Sequence, residues 1–143
     1  MASSDVSTLV QDHEGRLWIG TIAGLSCYEG EQLTTYTEQH GLAHNWVSAS
    51  ALDQQGNVWF GHINGSVSVF HAATEVLEPV NFGAYGEFHP ISSIFEASDG
   101  LLWFGTNGGG LFAYNPEEQT MLDVPTDACV RPPGVTPPGT ETM

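Results

Sequence analysis

Apolar and polar residues alternate in short runs along most of the chain, and glycine, aspartate or asparagine separates one run from the next. The runs have the length of strands, and none shows the 3.6-residue period of an amphipathic helix. Three of them, LWI, VWF and LLWF, are apolar at successive positions, so both faces of these strands must be covered. The pattern predicts an all-β chain in which sheets are stacked face to face.

The three apolar runs belong to a repeated phrase. It reads GRLWIGT, GNVWFGH and GLLWFGT, at residues 15–21, 56–62 and 100–106. Its tryptophans, Trp18, Trp59 and Trp103, are spaced 41 and 44 residues apart, a period typical of four-stranded propeller blades. Two residues after each tryptophan stands a glycine, which is predicted to allow close approach of a neighbouring backbone: Gly20, Gly61 and Gly105.

The register of the repeat extends on both sides of the phrase. Twelve residues before each tryptophan stands a β-branched residue followed by serine, and a Gly-rich turn and two further strand-like runs follow the tryptophan. We therefore predict three four-stranded antiparallel blades, at about 6–37, 47–82 and 91–126. The domain is expected to span residues 1–126, and the Pro-rich segment 127–143 is predicted to be a disordered tail.

The turn before each tryptophan strand has its own signature. Asp12 and Asp53 each begin a turn that ends in a glycine, Gly15 or Gly56, at which a positive φ is expected. The third copy has Ala97 at the aspartate position, and Asp99 and Gly100 supply the turn.

This pattern, D-x-x-G-x-[LV]-W-[IF]-G-T followed by G-L-x-x-Y, resembles the two-component regulator propeller repeat, found in sensor regions of hybrid histidine kinases and related signalling proteins. The resemblance covers about residues 6–126, with departures at His62, Ser66 and Ala97. It implies a bacterial sensor region, often periplasmic. The WD dipeptide is absent, so the WD40 repeat is a poorer match.

Three blades do not close a ring, because propellers have four to eight. An open stack would expose the apolar flanks of its end blades. The chain is therefore either a fragment of a larger propeller or a self-assembling one. We favour a homodimer that forms a six-bladed ring, with blade 3 of each chain against blade 1 of the other.

The amino-acid composition limits the classes of molecule that this chain is expected to bind. The 143 residues contain 17 Asp and Glu but only two arginines and no lysine, which gives a net charge of -15. Nucleic acid and anionic membranes are disfavoured as partners. No signal peptide is recognised at the start of this sequence. The two cysteines, Cys27 and Cys129, are interpreted as ordinary reduced thiols.

No catalytic motif, cofactor motif or metal-ligand spacing is found, and the six histidines are interpreted as surface residues. Loops that enter the inner strands should converge on one face near the propeller axis, where a small polar ligand or a sugar would bind. The candidate ligand-binding residues in these loops are His44, Asn45, Trp46, Tyr85, Glu87, Phe88 and His89. Alternatively, these aromatic side chains fill the hub or pack between blades.

Three functions are compatible with the sequence. The first is a non-enzymatic sensor or ligand-binding module. The second is a propeller enzyme, such as a lyase or lactonase, with His44 or His89 as general base. The third is a purely structural self-assembly module, for which the loops would be unimportant.

Overall fold

The computed structural model describes residue 1, residues 3–80 and residues 89–123. The predicted tail therefore lies outside the described residues. The described part is all-β, with one short 3-10 turn at Glu38–His40. No helix in this part is long and apolar enough to cross a membrane.

In the described residues, twelve strands form three four-stranded antiparallel sheets, each ordered as in the chain. The prediction of three four-stranded blades is confirmed. Blade 1 contains β1 Val6–Gln11, β2 Leu17–Thr21, β3 Gly24–Glu29 and β4 Gln32–Tyr36. Blade 2 contains β5 Val47–Leu52, β6 Val58–His62, β7 Val67–His71 and β8 Val76–Val80. Blade 3 contains β9 Ile91–Glu96, β10 Leu102–Thr106, β11 Leu111–Asn115 and β12 Thr120–Asp123.

The first strands of the blades, β1, β5 and β9, contact one another and form the inner side of the stack. We call the sheet face that bears the tryptophan the forward face of a blade and the opposite face its rear face. The Trp18 ring lies 5.6 Å from the Phe60 ring and 4.6 Å from the Phe70 ring, both on the rear face of blade 2. Blade 1 therefore packs its forward face on the rear face of blade 2.

The second junction repeats this arrangement. The Trp59 ring lies 6.4 Å from the ring of Phe104 and 5.9 Å from that of Tyr114 in blade 3. Two separate clusters of buried side chains result, one at each junction. The hydrophobic core of the described chain thus lies between the blades, not inside any one of them.

The turn glycines have the predicted conformation. The φ angles of Gly15, Gly56 and Gly100 are 84°, 89° and 89°. In each turn the backbone amide of this glycine donates to the carbonyl three residues earlier, at Asp12, Asp53 or Ala97. The loss of the aspartate in blade 3 therefore leaves the backbone of the turn unchanged.

The aspartates connect the turns to the tryptophans. In blade 1, Oδ1 of Asp12 accepts from the backbone amides of Glu14 and Arg16, and Oδ2 accepts from Trp18 Nε1 at 2.9 Å. In blade 2, Oδ2 of Asp53 accepts from Trp59 Nε1 at the same distance. Both carboxylates are buried. A buried indole N–H without an acceptor is costly, so this carboxylate allows the tryptophan to be covered.

Arg16 reinforces the first junction. Its Nε lies 2.7 Å from Asp12 Oδ2, its Nη1 lies 3.2 Å from Oε1 of Glu75 in blade 2, and its guanidinium stacks 4.9 Å from the centre of the Phe70 ring. Burial alone would raise the pKa of Asp12, but hydrogen bonds from Trp18 and Arg16 outweigh it and hold the pKa below its ordinary value. Asn57 and Leu101 occupy the position of Arg16 in the other two turns.

The glycine two residues after each tryptophan does have a close neighbour. In blades 1 and 2, however, this neighbour includes a side chain of the next blade and not the predicted backbone. A Cβ added at Gly20 would overlap the side chain of Val47, and one added at Gly61 would overlap that of Ile91. At Gly105 the nearest atoms belong to the inner strand of the same blade, at Ser93. Trp103 is correspondingly only half-buried.

We expect Trp59→Ala to lower the free energy of unfolding by about 3–5 kcal/mol, as do other large-to-small changes in a core. The side chain is 4% exposed, and its loss also leaves Asp53 Oδ2 without the indole donor. Trp46→Ala, at a residue that is 40% exposed, should cost much less. Urea unfolding at one fixed protein concentration measures both, and equal small losses would contradict the inter-blade position of Trp59.

Ala97→Asp should stabilise the chain by about 1 kcal/mol, because hydrogen bonds to charged groups contribute somewhat more than neutral ones and Trp103 is half-buried. The turn already has the geometry that places the carboxylate of Asp53 against Trp59. Ala97→Asn is the matched control, since its single side-chain oxygen cannot serve both the turn amides and the indole. Thermal unfolding in moderate salt should rank Asp above Asn, and the reverse order would disprove the proposed contact with Trp103.

Candidate functional site

The loop Thr37–Trp46 runs from the outer strand of blade 1 to the inner strand of blade 2. The Thr37 side chain caps the 3-10 turn, and Nδ1 of His40 accepts from the Thr37 amide at 2.9 Å. Gly41 follows with a φ of 102° and passes so close to the Leu77 carbonyl that a Cβ would collide with it. Leu42 is then buried in the first junction. The loop is thus anchored at its start and in the core.

Three of the predicted ligand-binding residues follow in this loop. The side-chain oxygen of Asn45 accepts from the Glu38 amide at 2.9 Å, while the Glu38 carboxylate accepts from the Asn45 amide at 3.1 Å. Nδ1 of His44 accepts from the Trp46 amide at 3.0 Å. Asn45 is therefore engaged in holding the loop, whereas the Trp46 side chain is 40% exposed beside the half-buried His44.

The imidazole of His62 holds the end of this loop on blade 2. Its Nδ1 donates to the Trp46 carbonyl at 3.2 Å, and its Nε2 accepts from Ser68 Oγ at 2.8 Å. The same Ser68 oxygen accepts from the Ala43 amide at 2.8 Å. The carbonyl can only accept, so the proton lies on Nδ1, and in the neutral imidazole Nε2 is then the acceptor for the Ser68 hydroxyl.

The interpretation of all histidines as surface residues is wrong for His62, which is completely buried. Thr21 and Thr106 hold the equivalent place in blades 1 and 3, where their hydroxyls donate to a carbonyl of the next turn, at Gly24 and Gly110. In blade 2 the larger side chain reaches across to the incoming loop instead. The departure from the repeat at this position was the available sequence signal.

Burial lowers the pKa of His62 to about 4; its bond to the Trp46 carbonyl opposes this shift, and the neighbouring His44 adds to it. The His44 and His62 rings lie 6.4 Å apart. His44 of the loop and His62 of β6 therefore form a pair of imidazoles. His62 is buried and neutral, and His44 borders the solvent.

His89 occupies the corresponding loop of the next blade. Its ring lies against Gly108 and Gly109 in the β10–β11 turn, where a Cβ would collide with it. The next residue, Pro90, accepts from the Asn107 amide at 2.9 Å, much as Trp46 accepts from the Ile63 amide at 3.3 Å. The other predicted residues of this loop, Tyr85, Glu87 and Phe88, lie outside the described residues.

The described residues contain no group of three or more His, Cys, Asp or Glu side chains that could hold a metal ion. His71, at the end of β7, pairs with Glu78 at 2.9 Å. Cys27 is buried in the first junction, and burial raises the pKa of its thiol to about 11. Cys129 lies outside the described residues.

Three stacked four-stranded sheets that share an inner row of strands define a segment of a β-propeller. The sequence model of the two component regulator propeller matches residues 1–23, 41–64 and 86–108. The chain belongs to this family, of which it carries three repeats. No curated protein sequence matches it significantly.

Solved structures share the fold. The extracellular domain assigned to the hybrid two component system BT4673 of B. thetaiotaomicron superimposes with a TM-score of 0.71 at 21% identity, over 83% of this chain and 16% of that one. The corresponding domain of BT3049 from B. thetaiotaomicron superimposes with a TM-score of 0.67 at 19% identity, over 81% of this chain and 16% of that one. Virginiamycin B lyase from Staphylococcus aureus superimposes with a TM-score of 0.64 at 16% identity, over 83% of this chain and 40% of that one. The chain therefore spans less than half the length of each of these structures.

The pKa of His62 predicts a pH-dependent stability. An unfolded histidine gains its proton near pH 6.5, and the folded one only near pH 4, so stability is fully present above pH 6.5 and is lost as the pH falls toward 4. The loss is at most about 1.4 kcal/mol per pH unit. His62→Thr, the residue of the other two repeats, should abolish it.

Urea unfolding of both proteins at several pH values between 7 and 4 measures this contribution. The carboxylates titrate in both proteins, so their effect cancels in the difference. We expect the stability advantage of the natural chain over the variant to shrink across this range. A difference that stays constant with pH would show that His62 is not a buried neutral imidazole.

Proposed function

We propose that this chain is a non-enzymatic sensor module that binds a small polar ligand, such as a sugar, at the face formed by the loops that enter the inner strands. The single observation that carries the proposal is the loop Gly41–Trp46. Contacts from His62 and Ser68 fix its backbone, and it still leaves the large aromatic side chain of Trp46 exposed beside His44. Preorganised aromatic surface with polar groups at its edge is typical of small-molecule sites.

Family membership supports a signalling role. The similar structures from B. thetaiotaomicron are described as extracellular domains of two component systems, which supports our proposal of an extracellular or periplasmic location for this module. The net charge of -15 and the lack of lysine make an anionic ligand or surface an unfavourable partner. The proposed ligand is therefore a small polar molecule without negative charge.

A thermal-shift screen of glycans and polar metabolites identifies the ligand, and calorimetry then compares variants. We expect Trp46→Ala and His44→Ala each to weaken binding at least about tenfold, because each removes part of the contact surface. His71→Ala, at the end of β7 and outside the loop 41–46, is the matched control and should bind normally. Lack of any ligand in the screen, or full binding by Trp46→Ala, would contradict the proposal.

A second candidate is a propeller enzyme of the lyase or lactonase class, which the shared fold with virginiamycin B lyase favours. His44 Nδ1 is occupied by the Trp46 amide, so Nε2 would be its basic atom; His89 is the alternative base. Turnover of a ligand found in the screen, abolished by His44→Ala or His89→Ala, would favour this function over sensing. Binding without turnover would favour the sensor.

A further inference from the structure

Two sheet faces at the ends of the stack expose large apolar side chains. On the rear face of blade 1, Leu9 is 59% exposed, and Val6, Tyr28 and Leu33 are exposed as well. On the forward face of blade 3, Phe95 is 65% exposed, Leu122 is exposed and Trp103 is half-buried. At the two internal junctions the residues that correspond to Val6, namely Val47 and Ile91, are completely buried. The end faces therefore have the composition of blade junctions.

We propose that a second copy of this chain covers both faces. The forward face of blade 3 in each copy packs on the rear face of blade 1 in the other, which closes a two-fold ring of six blades. This inference is independent of the proposed ligand.

The polarity of the internal junctions determines which faces meet. Blade 1 contacts blade 2, and blade 2 contacts blade 3, through a forward face on a rear face. The faces left over are one rear face and one forward face, so a head-to-tail contact continues the same interface. A contact between two forward faces would place tryptophan against tryptophan, and a contact between two rear faces would bring no tryptophan to the junction. Neither internal junction uses either arrangement.

Hydrogen bonds between the inner strands also run in one direction, from each blade to the next. Ser7 Oγ donates to the Val47 carbonyl, and Ser48 Oγ donates to the Ile91 carbonyl at 2.6 Å, so each serine binds the first strand residue of the next blade. Ser92 holds this place in blade 3, where its exposed hydroxyl donates to Gly105 O of its own blade at 3.1 Å. In the ring, the Val6 carbonyl of the second copy is the corresponding acceptor.

The two end faces also differ from the internal faces in side-chain size, and the two differences compensate each other. Phe95 pairs across the strands with Trp103, at a position where blades 1 and 2 have Val10 and Ala51. On the rear face of blade 1, Ile19 stands where blades 2 and 3 have phenylalanine. An additional ring on one face thus meets a smaller side chain on the other, which conserves the packed volume.

The charge distribution permits the contact in spite of the large net charge. By strand register, no strand residue on the rear face of blade 1 or on the forward face of blade 3 is charged. Arg16, which pairs with Glu75 at the first junction, is replaced by Leu101 in blade 3, so no unpaired cation is carried into the new junction. Repulsion between the acidic copies acts at longer range, and salt should therefore strengthen the dimer.

Light scattering coupled to gel filtration tests the proposal on the unmodified chain. We expect twice the chain mass of 15.3 kDa at micromolar concentrations, with dissociation only on dilution. A single-chain mass at every concentration would overturn the proposal. A ladder of higher oligomers would also overturn it, since it would show that the ring does not close.

Variants then test the polarity. Leu9→Asp and Phe95→Asp each place a charge on one end face, and both should have the mass of one chain while their circular dichroism remains that of the natural chain. Val76→Asp is the matched control, because Val76 is an exposed hydrophobic residue of the middle blade, and it should remain dimeric. A mixture of the two monomeric variants should recover a mixed dimer, which retains one unmodified junction.

If only one of the two end-face variants dissociates, identical faces meet and the head-to-tail arrangement is wrong. If both remain dimeric, the contact lies elsewhere on the chain and the proposal is wrong as well.

Discussion

The structure depends on the burial of a tryptophan whose indole N–H already has a partner within its own blade. Asp12 and Asp53 accept this hydrogen bond at Oδ2 and bind the turn amides with Oδ1, so one carboxylate fixes both the turn and the ring. The indole ring can then pack on the neighbouring blade without leaving its N–H unsatisfied. Without the carboxylate, the same packing would bury an unsatisfied donor.

Because the core lies between blades, the stability of a blade depends on its neighbours more than on its own strands. Blade 2 is covered on both faces, and Val58, Phe60 and Val67 are completely buried. Blades 1 and 3 each leave one face open in a single chain. The loop that carries Trp46 is attached to the best-covered blade, which gives a binding surface the rigid support it needs.

Much of the fold could be predicted because the repeat marks it directly: the spacing of the tryptophans indicated the blades, and the Asp and Gly residues indicated the turns. Contacts between blades could not be predicted, since they depend on which faces meet. His62 was therefore interpreted as a surface residue, and nothing in the sequence indicated that the Ser7 hydroxyl reaches the Val47 carbonyl. Trp103 shares the motif of Trp18 but lacks its covering blade.

The most direct test of this coupling is amide hydrogen exchange in Asp53→Ala compared with the natural chain. Trp59 packs on Phe104 and Tyr114 of the next blade, so the substitution should speed exchange in β10 and β11 as well as in β6, while β2 and β3 remain as protected as before. Faster exchange confined to the turn 53–56 would contradict the account, because the aspartate would then stabilise its own turn and nothing beyond it.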